Sequence, residues 1–178
     1  MEIQELIQRL HRDERGPMLS ADESTGEGAE LGAVHDIIQL VSFIIDDVEY
    51  GVDILAVHEI LRLPEITRLP NVPNYIRGVI NLRGNVIPVV DVRERFGLPK
   101  IKFTDLTRII VVEIGEKLVG LLVDNVYQVV RIPEKDIDPP SDLIEGVSED
   151  YIKGIGKLRE RLIVMLNLGN ILFSEEER

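Results

Sequence analysis

The stretch Gln39–Glu65 reads QLVSFIIDDVEYGVDILAVHEILRLPE, and Arg108–Glu134, 69 residues further on, reads RIIVVEIGEKLVGLLVDNVYQVVRIPE. Laid over one another without a gap, Gly51 falls on Gly120, Arg62 on Arg131, Pro64 on Pro133 and Glu65 on Glu134. Between these anchors apolar faces apolar: Leu40 on Ile109, Val52 on Leu121, Ile54 on Val123, Val57 on Val126 and Ile60 on Val129. The correspondence resumes at an offset of 76, where Tyr75-Ile76-Arg77-Gly78 lies over Tyr151-Ile152-Lys153-Gly154, Leu82-Arg83 over Leu158-Arg159, and Val86-Ile87 over Leu162-Ile163. A repeat of this length is a whole structural unit, so Gln39 to Phe173 reads as two similar lobes with a seam between them. Chance alignment of Val/Ile/Leu-rich strands is the alternative. The shared Gly, Pro, Tyr and Arg are not generic strand residues.

Turn chemistry divides the repeat into short strands. Gln39–Ile45 and Val48–Asp53 form a hairpin around Asp46-Asp47, and Gly78–Leu82 with Val86–Asp91 form another, its turn placed at Gly84-Asn85. Val57, Ile60 and Leu61 at helical spacing predict a short helix over Ala56–Leu61. An extended piece at Thr67–Leu69 and a corner at Pro70–Asn74 follow. Pro88 cannot donate to a ladder, which places its strand at an edge or a bulge. Asp91–Phe96 reads as a short helix ended by Gly97 and Pro99. The second lobe repeats this: Arg108–Ile114, a turn at Gly115-Glu116, Leu118–Val123, a turn-like Asn125–Val129, then Val130–Ile132. A loop at Asp138–Glu149, strands at Lys153–Leu158 and Leu162–Asn167, and a terminal helix at Leu168–Arg178 complete it. The expected fold is mainly β: two small antiparallel barrels side by side, with lobes at about 39–98 and 108–173 and interleaving between them left open.

Ahead of this unit, residues 1–12 place Ile3, Leu6, Ile7 and Leu10 on one face of a short helix, and residues 13–36 have the Gly/Ser/Asp/Glu composition of a flexible acidic linker. The helix is a docking peptide, or it folds back on the domain, or it frays. Net charge is −12, half of it in residues 1–36, which carry nine acids and three bases. No basic stripe accumulates, which argues against nucleic acid and against anionic membrane surfaces. Cysteine is absent, so disulfides, thiolate nucleophiles and sulfur-ligated metals are excluded. The N-terminus lacks a secretion signal and no apolar run reaches the length of a bilayer span, so the expected location is cytoplasmic.

Catalytic patterns are missing. His11 and His35 stand alone, and His58 beside Glu59 offers one pair where a metal site needs three or four ligands, so His58 is read as an exposed polar position. There is no P-loop, Gly154-x-Gly156 lacks a third glycine, and Ser42, Ser141, Ser148 and Ser174 have neither a nucleophile elbow nor a plausible histidine partner. No catalytic residue, metal or cofactor is assigned. A strand-rich chain with exposed edges suits protein docking.

Several of these runs carry a family resemblance. Tyr50-Gly51-Val52-Asp53-Ile54, Val57-His58-Glu59-Ile60, Gly78-Val79-Ile80-Asn81-Leu82-Arg83-Gly84 and Ile87-Pro88-Val89-Val90-Asp91-Val92-Arg93 resemble the CheW-type chemotaxis coupling proteins. So do Val119–Val126 and Tyr151–Gly156, and the resemblance spans about residues 38–174 within a domain taken as 37–178. It implies two five-stranded SH3-like barrels and a non-enzymatic adaptor, monomeric when free and recruited from the cytoplasm to membrane receptor arrays without inserting into the membrane. The implied partners are the signalling tip of a chemoreceptor (a methyl-accepting chemotaxis protein) and the regulatory domain of a CheA-type histidine kinase. Receptor contact in such proteins falls in the groove between lobes. The matching positions are Val57, Glu59, Ile60 and Gly78, with Arg83, Gly120, Val126 and Val129. Arg83 either contacts the receptor or braces its loop, kinase contacts are not assigned, and the role of residues 1–36 and the pathway served (swimming, pilus motility or another) are left open. The rival readings are a metabolite-binding barrel, which needs a polar cluster where the seam offers valines, and an RNA-binding barrel, which the acidic balance disfavours.

Overall fold

The computed structural model describes residues 36–140 and 147–172. The expected helix over 3–10, most of the acidic linker, the middle of the loop before residue 149 and the end of the terminal helix lie outside them.

Four hairpins with two-residue turns frame the molecule. They join β1 (Ile37–Ile45) to β2 (Val48–Asp53), β4 (Ile76–Leu82) to β5 (Asn85–Asp91), β6 (Arg108–Ile114) to β7 (Lys117–Val123), and β10 (Ile152–Leu158) to β11 (Arg161–Leu166). In each turn the first residue has positive φ: Asp46 at 53°, Arg83 at 50°, Gly115 at 62° and Arg159 at 57°. That conformation matches the right-handed twist of the flanking strands. The second turn is therefore Arg83-Gly84 and not Gly84-Asn85: Asn85 already pairs with Leu82, and Gly84 takes the second left-handed position at φ 86°.

The remaining strands are β3 (Val57–Arg62), β8 (Asn125–Pro133) and the two-residue β9 (Ile137–Asp138). Neither the helix expected at Ala56–Leu61 nor the turn expected at Asn125–Val129 is present. A single 3-10 turn, Ile54–Ala56, precedes β3, and β8 is continuous. Both strands carry a bulge at the same place in the repeat. His58 is the extra residue between the pairs Val57·Val112 and Glu59·Val111, and Tyr127 the extra residue between Phe43·Val126 and Ser42·Gln128. One inserted residue shifts the two-residue alternation, so Val57 and Ile60 share a face at the i, i+3 spacing that otherwise marks a helix. His58 is half-buried rather than exposed.

The strands form two sheets, in the orders β8-β1-β2-β11-β10-β9 and β3-β6-β7-β5-β4. Each half of the sequence lends its first hairpin to the other half's sheet: β1–β2 joins β10–β11, and β6–β7 joins β4–β5. The exchanged hairpins dock through short parallel pairings, Tyr50·Val164 and Gly51·Met165 in the first sheet, Val89·Gly120 to Asp91·Leu122 in the second. β5 is thus an interior strand and not an edge; of the two places expected for Pro88 the bulge is the one present beside it, Arg77 being the extra residue between Ile76·Val90 and Gly78·Val89. The proline is tolerated because pairing with β7 begins only at Val89.

Each sheet encloses its own apolar cluster, Leu40, Val130, Ile132, Ile163 and Met165 in the first, Ile80, Ile87, Val89, Ile109 and Val111 among those in the second. A larger third cluster lies between the sheets, where Val41, Phe43 and Tyr50 of one meet Val57, Ile110 and Leu121 of the other. Strands that face two clusters must be apolar on both sides, which is why β6 and β7 read as nearly unbroken hydrophobic runs. The short helices α1 (Val92–Arg95) and α2 (Leu168–Leu172) occupy equivalent places after β5 and β11. Asp91 caps α1 by accepting from the Glu94 amide.

Candidate functional site

The edge strands β3 and β8 bring equivalent residues to the rim of the shared inter-sheet cluster. Ile60 on β3, and Val126 and Val129 on β8, are partly buried and pack against it. Val57 lies beneath them, wholly inaccessible. Each strand has one sheet neighbour only, β6 for β3 and β1 for β8, so the rim faces outward along two strands. The bulges tilt it, and Ser42 satisfies the backbone at one of them by accepting from the Gln128 amide through its hydroxyl at 3.4 Å.

A charged pair stands beside the rim. Arg83, at the tip of the β4–β5 hairpin, donates from both terminal nitrogens to the two carboxylate oxygens of Glu59. The hydrogen bond to Glu59 and its charge hold the Arg83 guanidinium above its usual pKa. The Glu59 side chain is 13% exposed and that of Arg83 66%, so the pair presents arginine, not glutamate, to solvent. Arg83 is therefore tied to Glu59 and remains available at the surface.

Gly78 and Gly120 act through backbone clearance. Gly78 sits at φ 147°, and a Cβ there would stand 2.1 Å from the Thr67 carbonyl oxygen, with which the Val79 amide makes a 2.8 Å bond. A Cβ at Gly120 would stand 2.8 Å from Ile109 Cγ2. Of the eight positions matched from the sequence, Ile60, Val126 and Val129 are partly buried against the inter-sheet cluster, and Glu59 pairs with the exposed Arg83. Val57 is buried within that cluster, Gly78 lies against the Thr67 backbone, and Gly120 faces Ile109 and Val89 of the second sheet's own cluster.

Sequence reasoning missed what fixes the two lobes to each other. Arg93 on α1, 6% exposed, donates from Nη1 and Nη2 to Asp46 Oδ1 at 2.7 and 2.6 Å, from Nη1 to Asp124 Oδ2 at 2.8 Å and from Nε to the Pro99 carbonyl at 2.9 Å. Asp46 belongs to the β1–β2 turn of the first sheet; Arg93 and Asp124 follow strands of the second. Burial raises the Asp124 carboxyl above its ordinary pKa, opposed by the Arg93 charge. Arg95 forms a second tie, donating to the Ile171 carbonyl at 2.8 Å and lying over the rings of Tyr75 and Tyr151 at 4.1 and 5.2 Å. The partners are 47 and 31 residues from Arg93 and 76 from Arg95, separations that no local pattern reveals.

Among the described residues no group of three or more His, Cys, Asp or Glu converges as a metal site, and no helix is long and apolar enough to cross a membrane.

Comparison with known proteins places this architecture. A family profile described as CheW-like domain matches residues 39–176. The chemotaxis protein CheW of Helicobacter pylori is 40% identical over 156 residues, covering 87% of this chain and 93% of the relative. That of Klebsiella aerogenes is 34% identical over 138 residues, 78% and 83% of the two chains. Protein FrzA of Myxococcus xanthus is 30% identical over 138 residues, 76% and 86%. Among solved structures, the scaffolding protein TtCheW of Thermoanaerobacter tengcongensis superposes with a TM-score of 0.73 at 37% identity, covering 79% of this chain and 95% of that one. The family match spans nearly all of the two β lobes, and relatives at 30% identity or more are covered over most of their length: this chain is a member of the CheW-like domain family.

Proposed function

We propose that the protein is a coupling adaptor that binds a chemoreceptor signalling tip along the rim between its lobes and carries a CheA-type histidine kinase with it, performing no chemistry of its own. The observation behind this reading is the pseudo-symmetric rim. Ile60 and Val129, equivalent in the repeat, flank one shared core with Val126 beside them, and a surface arginine stands at one end. A receptor tip is helical, and an apolar rim of this kind receives a helix's aliphatic ridge while Arg83 sets register through charged hydrogen bonds. Receptor rearrangement then biases the kinase through contacts that differ between states, and many moderate interfaces act together in an array. Kinship with FrzA as well as with the CheW proteins supports the adaptor role and leaves the pathway to be identified by the receptor and kinase encoded nearby.

The test is capture of the full-length protein by an immobilised receptor-tip fragment. Ile60→Asp and Val129→Asp are chosen because both side chains are partly accessible; a charge at Val57 would enter the core and report folding instead. Each variant is expected to keep its melting transition and lose capture by at least about tenfold, as hot-spot residues do. Full capture by two folded variants would refute the rim assignment.

A further inference from the structure

The chain crosses between its sheets twice, and the two crossings are held differently. At the first, β2 ends at Asp53 and β3 begins at Val57. The tie there is local: the Asp53 carboxylate accepts from the Leu55 amide at 2.9 Å, and Leu55 is exposed. At the second, Asp124 alone separates the end of β7 at Val123 from the start of β8 at Asn125. Its carboxylate accepts from Arg93, which also holds Asp46 in the β1–β2 turn. At the corresponding places of the other copy the sequence has Leu55, Gly115 and Gly169, so that copy cannot form this clip.

The clipped crossing is where a rim strand begins. Val126 follows Asp124 by two residues and pairs with Phe43, three residues before Asp46. Arg93 therefore holds the start of β8 and the end of β1 to α1, the helix that follows β5 of the second sheet. The other rim strand, β3, belongs to that second sheet. The gap between Ile60 on one side and Val126 and Val129 on the other is thus a gap between sheets. Apolar packing across the shared cluster draws the sheets together but is non-directional. The buried Arg93 fork, bonded at 2.6 to 2.8 Å to two carboxylates, is directional.

We propose that Arg93 is a positioning residue for receptor-tip recognition: it touches no partner, and by holding Asp46 and Asp124 it fixes the spacing of the rim strands β8 and β3. This rests on the rim reading above. With the clip intact the rim is preformed; without it, part of the binding energy goes into restoring the spacing, and capture weakens. Arg95 provides an internal contrast. It also ties α1 to the other lobe, through the Ile171 carbonyl on α2 and over the rings of Tyr75 and Tyr151. None of these residues lies on β3 or β8, or on their paired neighbours β6 and β1. Loosening at Arg95 therefore relaxes the molecule without releasing the start of β8.

Three variants of the full-length protein, Arg93→Met, Asp46→Gly and Arg95→Met, are compared by receptor-tip capture below their melting transitions. Asp46→Gly removes the first-sheet end of the clip with little strain on the turn, since Asp46 sits at φ 53° and its counterpart Gly115 at 62°. Arg93→Met is expected to weaken capture by at least about fivefold and Asp46→Gly by about threefold, while Arg95→Met captures as wild type. The spacing itself is read by pulsed dipolar EPR. The chain has no cysteine, so Arg62→Cys and Arg131→Cys place one nitroxide on each rim strand, at exposed positions two residues beyond Ile60 and Val129. A narrow distance distribution is expected with the clip intact. In Arg93→Met a broad one is expected, narrowing again when excess receptor-tip fragment is added. The proposal is overturned by full capture in folded Arg93→Met and Asp46→Gly, by a distribution unchanged in both, or by an equal loss in Arg95→Met, which would mean general loosening. Full capture by Ile60→Asp and Val129→Asp refutes the rim reading and this proposal with it; loss in those two beside normal capture in the clip variants refutes the role of Arg93 alone.

Discussion

At the same bulge in the two lobes, Gly78 and Gly154 each carry a strand past its neighbour, but the constraint on them is not the same. At Gly78 the φ of 147° excludes a side chain, and the nearest obstacle is backbone, the Thr67 carbonyl oxygen at 2.1 Å. At Gly154 the conformation is ordinary, and an added Cβ would meet the branch methyl Cγ2 of Ile137 at 2.8 Å and the Asp138 carbonyl oxygen at 3.0 Å. The bridge Thr67·Val79 and the pair Asp138·Ile155 are the same device built from different material. Equivalent glycines in a repeat therefore do not carry equal weight; what matters is whether the obstacle can move. Gly78→Ala is expected to cost about 3–5 kcal/mol, combining left-handed strain with a backbone clash, and Gly154→Ala about 1–2 kcal/mol, since its φ is ordinary and its contacts are longer. Urea melts of both variants measure the difference, and equal losses would break the comparison.

The next largest contrast is between Arg93 and Gly169. Replacing Arg93 with Met leaves Asp124, at 21% exposure, and Asp46, at 50%, without their cation and frees the β1–β2 turn from the other lobe. Breaking a fully buried pair costs about 3–5 kcal/mol; with one partner half in water the expected loss is about 2–3 kcal/mol. Gly169→Arg, at the place that corresponds to Arg93 at the offset of 76, is expected to change stability by less than about 1 kcal/mol, since a Cβ there makes only ordinary contact. A loss in Arg93→Met no larger than that would mean that the clip decorates the seam rather than closing it.

Tyr50 and Val119 occupy equivalent strand positions, and only the tyrosine titrates. Its hydroxyl is pushed up to about 12, mainly by burial and secondarily by the Asp46 charge, with Arg93 acting in the opposite direction. In the unfolded chain it ionises near 10. The folded protein therefore holds the proton that the unfolded chain releases, so this contribution to stability is complete below pH 10 and is lost as pH rises from 10 to 12. Unfolding in that window is expected to release about one proton attributable to this residue. Tyr50→Phe keeps the ring against Phe43 and Phe96, at 5.8 and 5.4 Å, and should flatten the alkaline slope of the melting midpoint. An unchanged slope would place the alkaline transition elsewhere.

These pairs also mark how far the sequence could be read. The hairpins β1–β2 and β6–β7 were legible because two-residue turns leave a local signature, Asp46-Asp47 and Gly115-Glu116 between apolar runs. β3 was not, and β8 only in its second half, Val130–Ile132: the bulged residue between Val57 and Ile60 turns a strand pattern into an apparent helical one, and the one between Val126 and Val129 makes a strand look like a turn. The repeat announced two lobes but not the exchange of hairpins between them, since Tyr50 pairs with Val164 across more than half the chain and apolar strands do not name their partners. The eight positions came from family resemblance; which of them are accessible required the burial of Val57 and the backbone at Gly78. The clip had a signal in principle. Arg93 over Gly169 and Asp46 over Gly115 are the places where one copy of the repeat is charged and the other is glycine, and such breaks in a repeat mark where the copies have taken different tasks.

The smallest expected difference lies between the hairpin arginines. Arg161, in the first sheet, pairs with Glu49, donates to Gln128 once that amide is oriented by its hydrogen bonds, and lies 5.2 Å from the Tyr127 ring, with its side chain 38% exposed. Arg83 has Glu59 alone and is mostly in water. Arg161→Ala is expected to lower stability by about 0.5 kcal/mol, since a partly exposed pair is screened and only the ring contact and the buried Glu49 add to it. Arg83→Ala is expected to leave the melting midpoint unchanged and to weaken receptor-tip capture. The two arginines therefore separate bracing from recognition: a stability loss in Arg83→Ala with normal capture would assign it to the loop, and the reverse to the partner.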